Sequence, residues 1–87
     1  MERISGPYKG YFIAAYSIEA GSTFVGYAKV CQDEPESVYA AEGERLASAA
    51  GFRTELEAVT AAEHKARQII ADITAGWDST SAPGALM

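Results

Sequence analysis

The sequence predicts an α+β domain in which a three-stranded antiparallel sheet packs on one C-terminal helix, in the order β-β-β-α. Two stretches rich in Tyr, Phe, Ile and Val flank Gly21-Ser22, which reads as a hairpin. Thr54-Glu55-Leu56-Glu57 then opens a long amphipathic segment. With 87 residues there is room for one core only.

The first strand is expected from Lys9 to Glu19. Phe12, Ala14, Tyr16 and Ile18 share one face, and Tyr11, Ile13 and Ala15 the other, so both faces have something apolar to bury or display. Glu19-Ala20-Gly21-Ser22 supplies a tight reversal, and Thr23 to Gln32 resumes β-formers with Phe24, Val25, Tyr27 and Val30. Asp33-Glu34-Pro35-Glu36-Ser37 interrupts them, because proline lacks a ladder amide and the acids prefer water. Between Val38 and Ser48 the residues suit a third strand, although the Ala, Glu, Arg and Leu content around Gly43 would also suit a short helix. The strand is the better reading, since a two-stranded ribbon is marginal in water whereas three strands on a helix enclose a core.

The helix starts at the capping box and carries Leu56, Val59, Ala62, Ala66, Ile69, Ile70 and Ile73 on one stripe. Glu57, Ala61, His64, Gln68 and Asp72 lie opposite. The alanines at the middle of the stripe let the helix approach the strands closely, and Gly26 fits either that approach or a bulge. Gly76 is the expected end of the helix, closing a single domain over residues 1–76. Residues 77–87, rich in Ser, Thr, Pro and Gly, read as a flexible tail, with Trp77 either folded back or exposed as a contact residue.

Composition narrows the function. Twelve acids against seven Lys and Arg give a formal charge of -5, a field that repels phosphate backbones. No run of apolar residues is long enough to span a bilayer. The single cysteine, Cys31, closes no intrachain disulfide, and residues 1–7 lack the basic and apolar pattern of a secretory signal, so a cytoplasmic location is expected. One histidine and one cysteine, far apart, give no metal-binding spacing, and neither a metal nor a cofactor is expected. His64 reads as a solvated surface residue, and Cys31, beside acids that disfavour its thiolate, as a packed thiol. Gly21 to Gly26 has the glycine spacing of a phosphate-binding loop, but Tyr27 and Ala28 stand where Lys and Ser or Thr are needed. With no convincing catalytic constellation, no enzymatic activity is expected.

Two surface features remain. Six of the nine aromatics, Tyr8, Tyr11, Phe12, Tyr16, Phe24 and Tyr27, precede Cys31 on a hairpin of which the helix covers one face. Tyr8, Tyr11, Tyr16, Tyr27, Tyr39 and Trp77 are therefore the candidate partner-binding residues, the alternative being ordinary cross-strand pairs. Lys9 and Lys29 are the only bases in those strands, so nucleic-acid binding ranks below protein binding. Asp33, Glu34, Glu36, Glu42 and Glu44 form an acidic stretch with no base among them, suited to a basic partner or to a solvated loop.

Tyr8-Lys9-Gly10-Tyr11, together with Thr54, Glu57 and Ala58 after Phe52, resembles the pattern of small bacterial HicB-like domains over about Tyr8 to Ile73. The resemblance implies a bacterial protein of this fold with an antitoxin-like role, binding a small ribonuclease toxin. The chain departs from that pattern after the second predicted strand, where Cys31-Gln32-Asp33-Glu34-Pro35 replaces a Pro-Asp-Leu-Pro-Gly-Cys-like segment, and no DNA-binding module follows within these residues. The expected function is thus a non-catalytic protein–protein interaction module, antitoxin-like or homodimeric, that uses the open sheet face. Single-stranded RNA or DNA binding and a small enzyme are the alternatives.

Overall fold

The hairpin around Gly21-Ser22 forms the centre of the sheet. The structure, a computed structural model, describes residues 1–41 and 45–81. Among these residues the sheet has four antiparallel strands in meander order: β1 (Glu2–Tyr8), β2 (Tyr11–Ala20), β3 (Thr23–Cys31) and β4 (Arg45–Phe52). The helix α1 (Glu55–Ser81) follows and packs on one face. The α+β class and the single C-terminal helix agree with the sequence, but the strand count does not.

The unforeseen strand is β1. Glu2-Arg3-Ile4-Ser5-Gly6-Pro7 carries few β-formers and two breakers, which only an edge strand tolerates. It is joined to β2 by Lys9-Gly10, whose φ values of 51° and 86° are those of a two-residue hairpin turn, with Tyr8 opposite Tyr11. The turn between β2 and β3 places Gly21 at φ 65°, and Ala20 faces Thr23.

The strand expected from Val38 to Ser48 is displaced. Residues 32–41 are a connection that folds back over the sheet, and β4 begins at Arg45. β4 then runs through Ala47, Ala49 and Gly51 to Phe52, small residues whose low β-propensity hides the strand from a sequence reading.

α1 begins at the expected cap: the Thr54 hydroxyl oxygen accepts the Glu57 amide at 3.1 Å and donates to the Glu57 carboxylate at 3.0 Å. Its buried stripe is Ala58, Val59, Ala62, Ala66 and Ile70, flanked by partly buried Ile69 and Ile73. Leu56, expected on this stripe, is half exposed. The helix passes Gly76 and runs to Ser81, so the expected stop at Gly76 is corrected; residues 82–87 of the expected tail lie outside the described residues.

The close approach of α1 to the sheet is real. A Cβ on Gly26 would collide with the Ala58 carbonyl and come within 3.2 Å of the Ala62 Cβ. Gly26 is therefore glycine because the helix backbone rests on the strand, and the β3–β4 register also shifts between Phe24 and Gly26. Around this point Tyr11, Ile13, Ala15, Ala28, Val30 and Ala47 complete the core under α1.

One charged group enters that layer. The Glu63 carboxylate is 4% exposed and accepts a two-pronged interaction from the Arg3 guanidinium of β1, with Ser5 Oγ donating at 3.4 Å. The hydrogen bond to Glu63 raises the Arg3 pKa above its ordinary value. This pair fastens β1 to the helix, which otherwise lies over β2, β3 and β4.

Candidate interaction face of the sheet

The pleat sends Ile4, Phe12, Ala14, Tyr16, Ile18, Val25, Tyr27, Lys29, Cys31, Leu46 and Ser48 away from α1, and that face divides in two. Over the end nearest Phe12 and Cys31, residues 32–41 act as a strap. Val38, 1% exposed, and Ala41 bury against Ala14 and Cys31, with Ile4, Phe12 and Tyr16 packed around them. Lys29 Nζ pins the strap by donating to the carbonyls of Val38 at 3.0 Å and Ala41 at 3.4 Å.

Among the described residues nothing covers the other end. Tyr16 and Tyr27, opposite each other in the β2–β3 register, stack with ring centroids 5.4 Å apart, and Tyr39 at the tip of the strap tilts over Tyr16 at 6.4 Å. Tyr39 is 76% exposed, and Ile18 and Leu46 on the same face are at least half exposed. A hydrogen bond to Glu2, reinforced by the charge of that carboxylate, raises the Tyr39 pKa above its ordinary value. The Lys29 ammonium lies 5.7 Å from the Tyr16 ring centroid, a cation–π contact that ties strap and tyrosines together.

The six candidate binding residues thus separate. Tyr16, Tyr27 and Tyr39 form one cluster on the face away from the helix. Tyr8 and Tyr11 belong to the opposite layer, where Tyr11 is 4% exposed and Tyr8 packs on the helix-side core. Tyr11 is one of the odd-numbered β2 residues that the pleat turns toward α1, and Tyr8 of β1 lies opposite it. Trp77 falls within α1, and its side chain lies outside the described residues. Of the acidic stretch, Asp33, Glu34 and Glu36 are exposed on the strap, whereas Glu42 and Glu44 lie outside the described residues.

Reading the sequence put Ile18 on the face of Tyr16 without counting it as a binding residue, and missed Leu46 and Glu2 as members of this face and Val38 and Ala41 as its partial cover. The signal for Val38 and Ala41 was present, since both are apolar residues after a proline-bearing turn, but nothing local told a strap from a strand. The groups with reactive chemistry are apart: Cys31 is buried beneath the strap, and His64 is exposed on α1 with Gln68 beside it at 3.4 Å. Among the described residues no three His, Cys, Asp or Glu side chains are grouped to hold a metal, and no helix is long and apolar enough to cross a membrane. No family model, curated protein or solved structure matches the chain.

Proposed function

We propose that the protein is a non-catalytic interaction module that docks another protein on the uncovered end of its sheet, as an antitoxin docks its toxin. The observation that carries this reading is the tyrosine cluster of Tyr16, Tyr27 and Tyr39, bordered by exposed Ile18 and Leu46. Tyrosines held by stacking present large contact area with little side-chain entropy left to lose, which is what the centre of an interface rewards. Glu2 stands beside Tyr39, and Asp33, Glu34 and Glu36 are exposed along the strap of a chain of net charge -5, so the fitting partner has an apolar centre and basic surroundings. The nucleic-acid alternative loses support because Lys29, the base on this face of the hairpin, is engaged by the strap carbonyls.

The test compares the immobilised protein with its Tyr27→Ser/Tyr39→Ser variant in a bacterial lysate and in oligonucleotide titrations. A protein retained by the first, lost by the variant and released by raised salt supports the reading. Equal retention by both, or tyrosine fluorescence quenched by single-stranded oligonucleotides, overturns it.

A further inference from the structure

The strap over residues 32–41 and the helix α1 cover opposite faces of one sheet by different means. α1 rests on the strands at Gly26 through Ala58 and Ala62, and Ile13, Val30, Val59 and Ile70 fill its layer. The strap buries two small side chains, Val38 and Ala41. It contains no helix or strand, and among the described residues no backbone hydrogen bond joins it to the sheet. Its turn is closed by its own residues, with the Ser37 hydroxyl accepting the Ala40 amide at 3.1 Å. The remaining fastenings are polar: the Lys29 ammonium on the carbonyls of Val38 and Ala41, and the Tyr39 hydroxyl on Glu2. Such groups find water when they part, so what holds the strap down is chiefly the burial of Val38 and Ala41.

We infer that the strap is a displaceable cover, which opens as a unit while the sheet and α1 stay folded and bares a second half of the docking face. The register shows what lies beneath it. Phe12 is opposite Cys31, the next rung on that face is Ile4, Ala14 and Lys29, and the rung after it is Glu2, Tyr16 and Tyr27. With the strap lifted, Ile4, Phe12, Ala14 and Cys31 therefore run without a break into the tyrosines. Closed, the strap limits the face to Tyr16, Tyr27 and their exposed neighbours. Opened, it also releases Tyr39 from Tyr16 and Lys29 from the strap carbonyls. Control of docking by this cover rests on the tyrosine reading; the opening does not, and it can be measured with no partner present.

Cys31, 4% exposed beneath the strap, reports the opening through its rate of alkylation by N-ethylmaleimide at neutral pH. The rate is followed over rising urea, with circular dichroism to confirm that each variant is folded. A local opening exposes little surface, so the rate should be nearly flat in low urea and climb only as the whole chain unfolds. Val38→Ser raises the flat portion about tenfold or more, and Ala41→Ser raises it in the same sense, neither adding a charge near the thiol. Gly26→Ala, which loosens the helix side, leaves the flat portion within about twofold and moves only the climb to lower urea. A rate that rises with urea from the start, or that follows Gly26→Ala and ignores Val38→Ser and Ala41→Ser, overturns the inference. A flat rate sensitive to Val38→Ser, in a chain that retains no protein through its tyrosines, removes the docking reading and leaves the displaceable cover standing.

Discussion

Where α1 crosses the sheet, the strands offer it Gly26, Ala15, Ala28, Ala47 and Ala49, while the opposite face of the same strands carries Tyr16, Tyr27, Lys29 and Leu46. On the helix side burial comes from backbone proximity, with Ile13, Val30, Val59 and Ile70 filling the margins. On the other side it comes from a strap that covers one end and leaves the other to water. A layer built on close approach has no slack, whereas a layer half closed by a loop can change its side chains without disturbing the fold. The first face fixes the structure, and the second is where a surface can be adapted to a partner.

Gly26→Ala gives the largest effect expected of this contrast. The added Cβ meets the Ala58 carbonyl, a backbone group that cannot swing aside, so strand and helix must separate. A loss of about 3 kcal/mol or more follows, at or beyond the upper end for overpacking, read as a lower urea midpoint. An unchanged midpoint would mean that the helix does not rest on β3.

Arg3→Ala comes next, because it leaves the buried Glu63 carboxylate without its partner. Breaking a buried pair this way costs about 3–5 kcal/mol, and water reaching the half-exposed Arg3 side places this one near the lower figure. Amide exchange should show β1 opening ahead of the other strands. Uniform loss of protection would instead make the pair part of the common core.

Val38→Ala tests the strap. Removing two buried methyl groups from a residue 1% exposed costs about 2 kcal/mol with its cavity, and the helix-side core should keep its protection. Tyr27→Ser, on the uncovered end, should by comparison shift stability by about 0.5 kcal/mol plus the loss of one stacked pair, of similar size. A larger effect from Tyr27→Ser than from Val38→Ala would reverse the assignment of closed and open ends.

The same contrast explains what could be read from the residues alone. The β2–β3 hairpin, the cap at Thr54 and the small-residue waist of α1 are local patterns, each complete within a few residues, and all three are found where the sequence places them. β1 and β4 are held by their neighbours rather than by their own propensity, so Gly6-Pro7 and Ala47-Ser48-Ala49-Ala50 concealed them. Glu63 falls in line with Val59, Ala66 and Ile70, and a carboxylate on that line was a sign that a cation arrives from elsewhere, though its source, Arg3, needed β1 to be known. For the interaction face, alternation distinguished Tyr16 from Tyr11, but no pattern in the sequence says which side the helix takes. That choice is made by Gly26, Ala28 and Ala47 jointly, from two strands at once.

The smallest effect is a titration, and it reads the tip of the strap. At neutral pH the Tyr39 hydroxyl donates to the Glu2 carboxylate, and both that bond and the negative charge hold the phenol pKa above its ordinary value. A pKa raised in the folded state favours the neutral form there. The resulting contribution to stability is full below the unfolded value of about 10 and is lost as pH climbs through the raised folded one. Tyr39 is largely exposed, so the effect should appear as a displaced phenolate absorbance curve rather than as unfolding. Subtracting the alkaline titration of Tyr39→Phe from that of the native chain isolates this phenol from the other four tyrosines. Glu2→Gln should bring the difference curve back toward the ordinary tyrosine value, since the neutral amide repels no phenolate. Identical difference curves with Glu and Gln at position 2 would detach the strap tip from β1, and the open end of the face would then be framed by the strands alone.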